Sequence, residues 1–216
     1  MSDNPKIIYG TLDEIEPIVS SQEAWNEFPE HIQQYLRNKS GSDLLRSFGA
    51  YWLLKKHISS EQFQSLSFTA SGKPILQKKS MAISLSHSGH FFACAIFPRC
   101  HLLGIDIQEK RPYSDRVAIR LMTEWEFAVY ETLPDKEKID FFYQIWCGKE
   151  ALGKALGTGL LAVKDSCFIS QDRHFFSDIT WQGKSFYLLF QTIEDYQACI
   201  CADHSIKNCT IQKWIS

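Results

Sequence analysis

Three short segments set side chains capable of chemistry into strongly apolar surroundings. The first is Leu103-Gly104-Ile105-Asp106-Ile107-Gln108. A carboxylate between two isoleucines on a core strand is costly to bury unless it meets a base or a cation. Strand alternation puts Asp106 and Gln108 on one face and Glu109 on the other. The second segment, Trp146 through Lys154, reads Trp-Cys-Gly-Lys-Glu-Ala-Leu-Gly-Lys and has a helical period. Glu150 and Lys154 stand four residues apart and share a helix face. Taken alone, that is an ordinary solvated Glu–Lys pair. Gly148 and Gly153, however, each cost a helix ~1 kcal/mol, which points to close approach by another backbone or by a ligand. The third segment, Ile83-Ser84-Leu85-Ser86-His87-Ser88-Gly89-His90, ends a strand in hydroxyls, an imidazole and turn N–H groups. That donor set suits phosphate. It is not a nucleophile elbow, which needs G-x-S-x-G where Ser84 occupies the first glycine position. His87 and His90 are open to metal ligation or to hydrogen bonding within the turn.

Several elements must bring these segments together. Residues 20–38 carry Trp25, Phe28, Ile32, Tyr35 and Leu36 at helical spacing, and Pro29 predicts a start or break in mid-stretch. A stronger helix is expected over 42–57, with Leu44, Leu45, Phe48, Trp52 and Leu53 as its stripe. Ser-Gly-Ser-Asp at 40–43 supplies N-cap chemistry, and Lys55, Lys56 and His57 suit the far end of the dipole. Strands are expected at 65–69, 81–86, 90–97 and 102–107, with a turn at 70–74. Thr123 and Glu126 match a capping box. A long helix over 138–156 should end at Gly157 and Gly159. Strands follow at 166–169, 186–192, 198–202 and 210–215. His-Phe-Phe-Ala-Cys-Ala-Ile at 90–96 rhymes with Asp-Tyr-Gln-Ala-Cys-Ile-Cys at 195–201. The expected fold is therefore α+β, built from two similar halves, residues 1–103 and 104–216.

The 216 residues suit one medium domain or two halves sharing a core. With 44% hydrophobic and 22% charged residues, wholesale disorder is excluded. Basic residues number 23 and acidic ones 25, a net charge of -2, so any phosphate-binding surface is local and nucleic acid is not an expected partner. The longest apolar run, Phe91 to Phe97, is far short of the ~20 residues a membrane helix needs. Asp3, Asp13, Glu14 and Glu16 occupy the region where a signal peptide would be apolar. Seven cysteines, with no C-x-x-C, read as buried thiols of a reducing cytoplasm. Cys199, Cys201 and His204 have the wrong spacing for a common zinc site.

In order and spacing, Gly72-Lys73-Pro74, Ser86-His87-Ser88, Gly104-Ile105-Asp106-Ile107-Gln108 and Trp146 through Lys154 resemble a family's motifs. The family is the Sfp-type 4'-phosphopantetheinyl transferases, whose patterns are G-K-P, S-H-S, G-[IV]-D-[IVL]-E and W-x-x-K-E-[AS]-x-x-K. The resemblance covers roughly residues 39–165. It implies a pseudo-twofold pair of α+β halves with the active site in the cleft between them. Residues 1–103 would form the nucleotide side of a coenzyme A site, and 104–216 would carry the metal site and catalytic helix. The implied reaction moves the 4'-phosphopantetheine arm of coenzyme A to a serine of an apo carrier protein, with Mg²⁺, releasing 3',5'-ADP.

The same resemblance implies roles for single residues. Asp106 and Glu150 would hold the metal, with the Gln108 carbonyl or a water in the third place, and Glu150 would also take the serine proton, directly or through water. Lys154 would meet the charge developing on the phosphate bridge, and Lys149 would contact a phosphate beside it. Lys73, Pro74 and His87 would hold the nucleotide, with the Ser86 hydroxyl on a phosphate. A further basic residue on the first-half helix is assigned to Lys55, with Arg46 and Lys39 as alternatives. Glu126 falls where the family has a supporting glutamate. Gln108 departs from the family's acid and predicts weaker Mg²⁺ affinity. The expected carrier surface lies at 113–135, where Met122, Trp125, Phe127 and Tyr130 accompany Arg116 and Arg120; ordinary core packing is the alternative. The chain is expected to act as a monomer, away from membranes. A noncatalytic paralogue binding coenzyme A or a carrier, and a phosphohydrolase using Asp106 and Glu150, are the competing readings.

Overall fold

The structure, a computed structural model, describes residues 4–77, 81–98 and 100–215. The chain begins with β1 (Lys6–Thr11) and five helices: α1 (Leu12–Val19), α2 (Gln22–Asn26), α3 (Glu30–Arg37), α4 (Gly41–His57) and α5 (Ser60–Gln64). A small hairpin of β2 (Leu66–Phe68) and β3 (Pro74–Leu76) precedes β4 (Met81–Ser88) and β5 (Phe91–Pro98). The pattern then repeats. β6 (Leu103–Glu109) leads into α6 (Asp115–Leu121), α7 (Glu124–Thr132) and α8 (Asp135–Leu156). β7 (Asp178–Trp181), β8 (Lys184–Ile193), β9 (Tyr196–Ala202) and β10 (Thr210–Lys213) follow. Each half thus opens on a strand, crosses through helices to one long helix packed on its sheet, and closes on an antiparallel hairpin.

The strands form two four-stranded sheets, ordered β10-β1-β5-β4 and β6-β9-β8-β7. The rhyming segments fall on β5 and β9, which hold equivalent inner positions. Alternation explains their composition. Phe92, Cys94 and Ile96 face the core under α4, whereas Phe91, Ala93, Ala95 and Phe97 face the other sheet. They meet Ile105, Ile107, Ala198, Ile200 and Ala202, and Cys199 and Cys201 turn to the core under α8. The layers run helix, sheet, sheet, helix. Small alanines let the sheets approach, and the equivalent residues Phe91 and Tyr196 stack with ring centroids 4.1 Å apart. Five of the seven thiols are buried.

Pro29 separates α2 from α3 and stands just before the first residue of α3. The strand expected at 166–169 forms only one bridge, Ile169 to Phe175. β10 crosses back to pair in parallel with β1, so it extends the sheet of the first half. Among the described residues, no helix is long and apolar enough to cross a membrane.

Candidate active site

The two sheets join along β4 and β6 through side chains. Ser84, Ser86 and Ser88 project from one face of β4, and their Oγ atoms accept the N–H groups of Ile105, Ile107 and Glu109 at 3.0, 3.1 and 3.1 Å. On the second half, Gly104 sets the distance of α8. A Cβ there would lie 1.8 Å from the Ala151 carbonyl oxygen and 2.6 Å from the Ala155 nitrogen. Helix backbone rests directly on β6, which carries Glu150 and Lys154 over Asp106. Both helix glycines admit protein neighbours. A Cβ at Gly148 would meet the Phe168 ring, and one at Gly153 would meet the backbone of Gly159. That returning chain is turned by Gly157 in the left-handed conformation, φ 72°.

Asp106 is buried, 2% exposed, and its carboxylate accepts hydrogen bonds from residues of these motifs. Its Oδ1 accepts the Ser86 hydroxyl at 3.0 Å and the Lys154 ammonium at 2.7 Å. Lys154 also donates to Ser86 Oγ at 2.8 Å. Gln108 Nε2 donates to Asp106 Oδ2 at 3.0 Å, and the Ser88 hydroxyl donates to Gln108 Oε1 at 3.1 Å. The Glu150 carboxylate makes no hydrogen bond among the described residues. Burial raises its pKa, the Asp106 charge adds to the rise, and Lys154 opposes it. His87 stands at the mouth, its Nε2 3.9 Å from Asp43 Oδ1. Burial, then Lys154 and Arg46, push its pKa down to about 4. Arg46 donates to the Gly89 carbonyl at 3.1 Å, and Lys39 pairs with Asp43 at 3.0 Å. A cavity of about 280 Å³ lined by Tyr51, Pro74, Ser86, His87 and Lys154 adjoins another of about 350 Å³ lined by Lys73, Pro74, Lys154 and Gly157. Together they form a cleft between the halves.

This donor set fits a small, hard divalent cation. Two carboxylates, Asp106 and Glu150, repel one another across a partly dry site, and oxygen ligands suit Mg²⁺. Among the described residues, no group of three or more His, Cys, Asp or Glu side chains could hold a metal. One or two carboxylates suffice for Mg²⁺ when phosphate oxygens and waters complete the shell.

Other expected site residues lie elsewhere. The phosphate contact expected of Lys149 is replaced by a core ion pair: its side chain is 0% exposed and meets Glu126, also 0% exposed, at 2.8 Å. It donates as well to the carbonyls of Leu121 and Lys164. Burial lowers its pKa and Glu126 opposes the fall. The physical reason is angular, because adjacent helix residues do not share a face. Glu126 completes the network by accepting from Thr123 N and Phe168 N, both at 2.8 Å. Lys55 also lies outside the cleft. It pairs with Glu27 and sits 5.1 Å from the Trp52 ring, nine residues or ~13 Å along α4 from Arg46. Arg46 and Lys39, the alternatives, stand beside His87. Lys73 lines the cleft, but its Nζ donates to the carbonyls of Leu103 and Ala155 at 3.0 and 2.7 Å. Burial pushes its pKa down to about 8. Gln108 turns its amide nitrogen toward Asp106, and His90 pairs with Asp13 at 3.2 Å. From sequence, Ser88 read as one of the phosphate-suited hydroxyls at the strand end and Asp43 only as a cap residue; the two-residue step from Ser86 and the closeness to Lys39 were the available signals for the contacts they make.

On the expected carrier surface, Met122 and Tyr130 are core residues and Phe127 packs against that core. Trp125 is 42% and Ile119 56% exposed, with Arg116 and Arg120 exposed on the same α6–α7 segment.

Residues 102–209 match the family model described as the 4'-phosphopantetheinyl transferase superfamily. The chain is 31% identical over 145 residues to the 4'-phosphopantetheinyl transferase HetI of Nostoc, covering 64% of this chain and 57% of that protein. It is 28% identical over 137 residues to the 4'-phosphopantetheinyl transferase Sfp of Bacillus subtilis, covering 62% and 60%. A Streptococcus pyogenes holo-[acyl-carrier-protein] synthase is 40% identical over 63 residues, covering 26% and 53%. The chain therefore spans little more than half the length of these relatives.

Proposed function

The chain belongs to the 4'-phosphopantetheinyl transferase superfamily, and on that premise we propose that it moves the 4'-phosphopantetheine arm of coenzyme A to a serine of an apo carrier protein. The observation that carries this reading is the convergence of Asp106, Glu150, Lys154, Ser86 and His87 on the cleft between the halves.

In the proposed step the carrier serine oxygen bonds to the phosphorus of the pantetheine phosphate. The bridge oxygen leaves with 3',5'-ADP, and the serine proton passes to a base. Glu150 is that base, directly or through one water, since burial and Asp106 raise its affinity for a proton. Asp106 and Glu150 would hold Mg²⁺, which when bound neutralises charge on the pyrophosphate. Lys154, one turn beyond Glu150, faces the bridge oxygen, where a well-placed donor is worth ~2.7–4 kcal/mol. Ser86 and His87 meet phosphate, and Pro74 walls the nucleotide side. Arg46 and Lys39, standing by His87, take the role first assigned to Lys55. The carrier docks on Ile119 and Trp125 with Arg116 and Arg120, a surface suited to an acidic partner. The seven unpaired thiols suit the cytoplasm. Both halves of the site lie on one chain, so a monomer suffices.

Gln108 in place of an acid favours the second reading, a paralogue that binds coenzyme A or a carrier without turnover. Intact mass of an apo carrier panel after incubation with this protein, coenzyme A and Mg²⁺ separates the two. The expected result is a gain of one phosphopantetheine, absent with Glu150→Ala and with EDTA. No gain on any carrier, with coenzyme A still bound by calorimetry, would support the noncatalytic reading. Loss of coenzyme A without a carrier would instead indicate hydrolysis.

A further inference from the structure

The hydrogen bonds of Gln108 identify its amide end by end. Ser88 Oγ accepts the N–H of Glu109 at 3.1 Å and gives its proton to the Gln108 oxygen 3.1 Å away. The opposite end of the amide is then the nitrogen, and it meets an acceptor, Asp106 Oδ2, at 3.0 Å. The neighbouring serine obeys the same accounting. Ser86 accepts from Ile107 N and Lys154 Nζ and gives its proton to Asp106 Oδ1. Turning the Gln108 amide over would set its oxygen against the Asp106 carboxylate, two acceptors with no proton between them, and this clash fixes the orientation.

Resting on the transferase reading above, we infer that Gln108 is a positioning residue and not a metal ligand. Ser88 holds the amide so that N–H, not carbonyl oxygen, faces the site. The Gln108 nitrogen occupies one lone pair of Asp106 Oδ2 and fixes the carboxylate plane, as outer-shell partners do for metal-binding groups. The cation is held by Asp106 and Glu150, and water and phosphate oxygens complete its shell. The missing acid is therefore replaced by an orienting donor, with no vacant ligand position left for Gln108 to fill.

Mn²⁺ bound to the full chain with coenzyme A allows the metal's water molecules to be counted by pulsed EPR in D₂O. Gln108→Leu is expected to leave that count unchanged. One additional bound water in the variant would mean a ligand position had been vacated, and would overturn the inference. Affinity does not discriminate, because loss of an outer-shell partner alone costs ~10–100-fold. The metal-free protein supplies an independent readout. The Gln108 side-chain NH₂ signals in ¹⁵N NMR are expected to exchange slowly in the wild type and to lose that protection in Ser88→Ala. Fast exchange in the wild type would overturn the assignment. A wild type that binds no Mn²⁺ would remove the metal-dependent transferase reading, and this inference with it.

Discussion

Replacing Lys149 tests whether the lysine beside Glu150 serves the cleft or the core. Lys149 and Glu126 are both fully buried and meet at 2.8 Å, and every partner of the ammonium is internal. Lys149→Met would leave the Glu126 carboxylate with only two backbone N–H groups, from Thr123 and Phe168. Glu126→Gln would leave the ammonium facing two carbonyls. Removing one member of a buried pair costs ~3–5 kcal/mol, because a charge remains without its counterion. For a chain of this size each kcal/mol moves Tm by ~2–4 °C, so either replacement is expected to lower it by roughly 6–20 °C. The double variant Glu126→Gln/Lys149→Met carries no net buried charge and is expected to lose no more than either single variant, a coupling of ~3 kcal/mol or more. Urea denaturation of the four proteins measures the cycle, and calorimetry measures coenzyme A affinity in parallel. A Lys149→Met protein with unchanged stability and about tenfold weaker coenzyme A binding, ~1.4 kcal/mol, would refute the core assignment.

Gly104→Ala places a methyl 1.8 Å from the Ala151 carbonyl oxygen and must push α8 outward. It is expected to cost ~1–3 kcal/mol in urea melts and, by shifting Glu150 and Lys154, about 100-fold in transfer rate; wild-type turnover would count against this packing. His87, held down to about 4 by burial, Lys154 and Arg46, should gain a proton when a phosphate seats beside it. Coenzyme A binding at a pH between the free and bound values then takes up protons and weakens as pH rises through the bound value. Calorimetry in two buffers of different ionisation enthalpy reads the uptake, and His87→Gln should abolish it. Glu150 has a raised pKa, so the folded chain holds its proton to higher pH than the unfolded chain, and charging it costs stability as pH rises above the ordinary 4.5. Glu150→Gln is expected to stabilise the metal-free protein at neutral pH and to bring no advantage in acid; an equal gain at every pH would argue that the effect is not electrostatic.

The reactive cluster was legible because each of its parts obeys a local rule. Alternation ties Asp106 to Gln108, and a four-residue step ties Glu150 to Lys154. Motif order brings Ser86 and His87 to the same place. Lys149 was misread by its neighbours in sequence, although the signal was present: it lies four residues after Ile145 and three before Leu152, on the apolar stripe of α8. Its expected phosphate contact came from the motif resemblance, which does not encode the helix period. The choice among Lys39, Arg46 and Lys55 depends on where α4 meets the cleft, which no local pattern encodes. β1 escaped detection because Ile7, Ile8, Tyr9 and Gly10 are all buried, so alternation is absent. β10 is exposed at every position, and its partner β1 lies at the other end of the sequence, so only the assembled sheet identifies its place.

β4 and β6 are the last strands of their respective sheets. Such edges ordinarily offer bare N–H groups to any extended chain that approaches, an invitation to aggregate. Here the hydroxyls of Ser84, Ser86 and Ser88 occupy the N–H groups of Ile105, Ile107 and Glu109, so the first half masks the open margin of β6. Expressed separately, the halves are expected to self-associate through those margins rather than fold as soluble pieces. The seam that shields the edge of β6 also forms one wall of the cleft, so the bonds that join the repeats and the surface that would receive a ligand are made by the same serines.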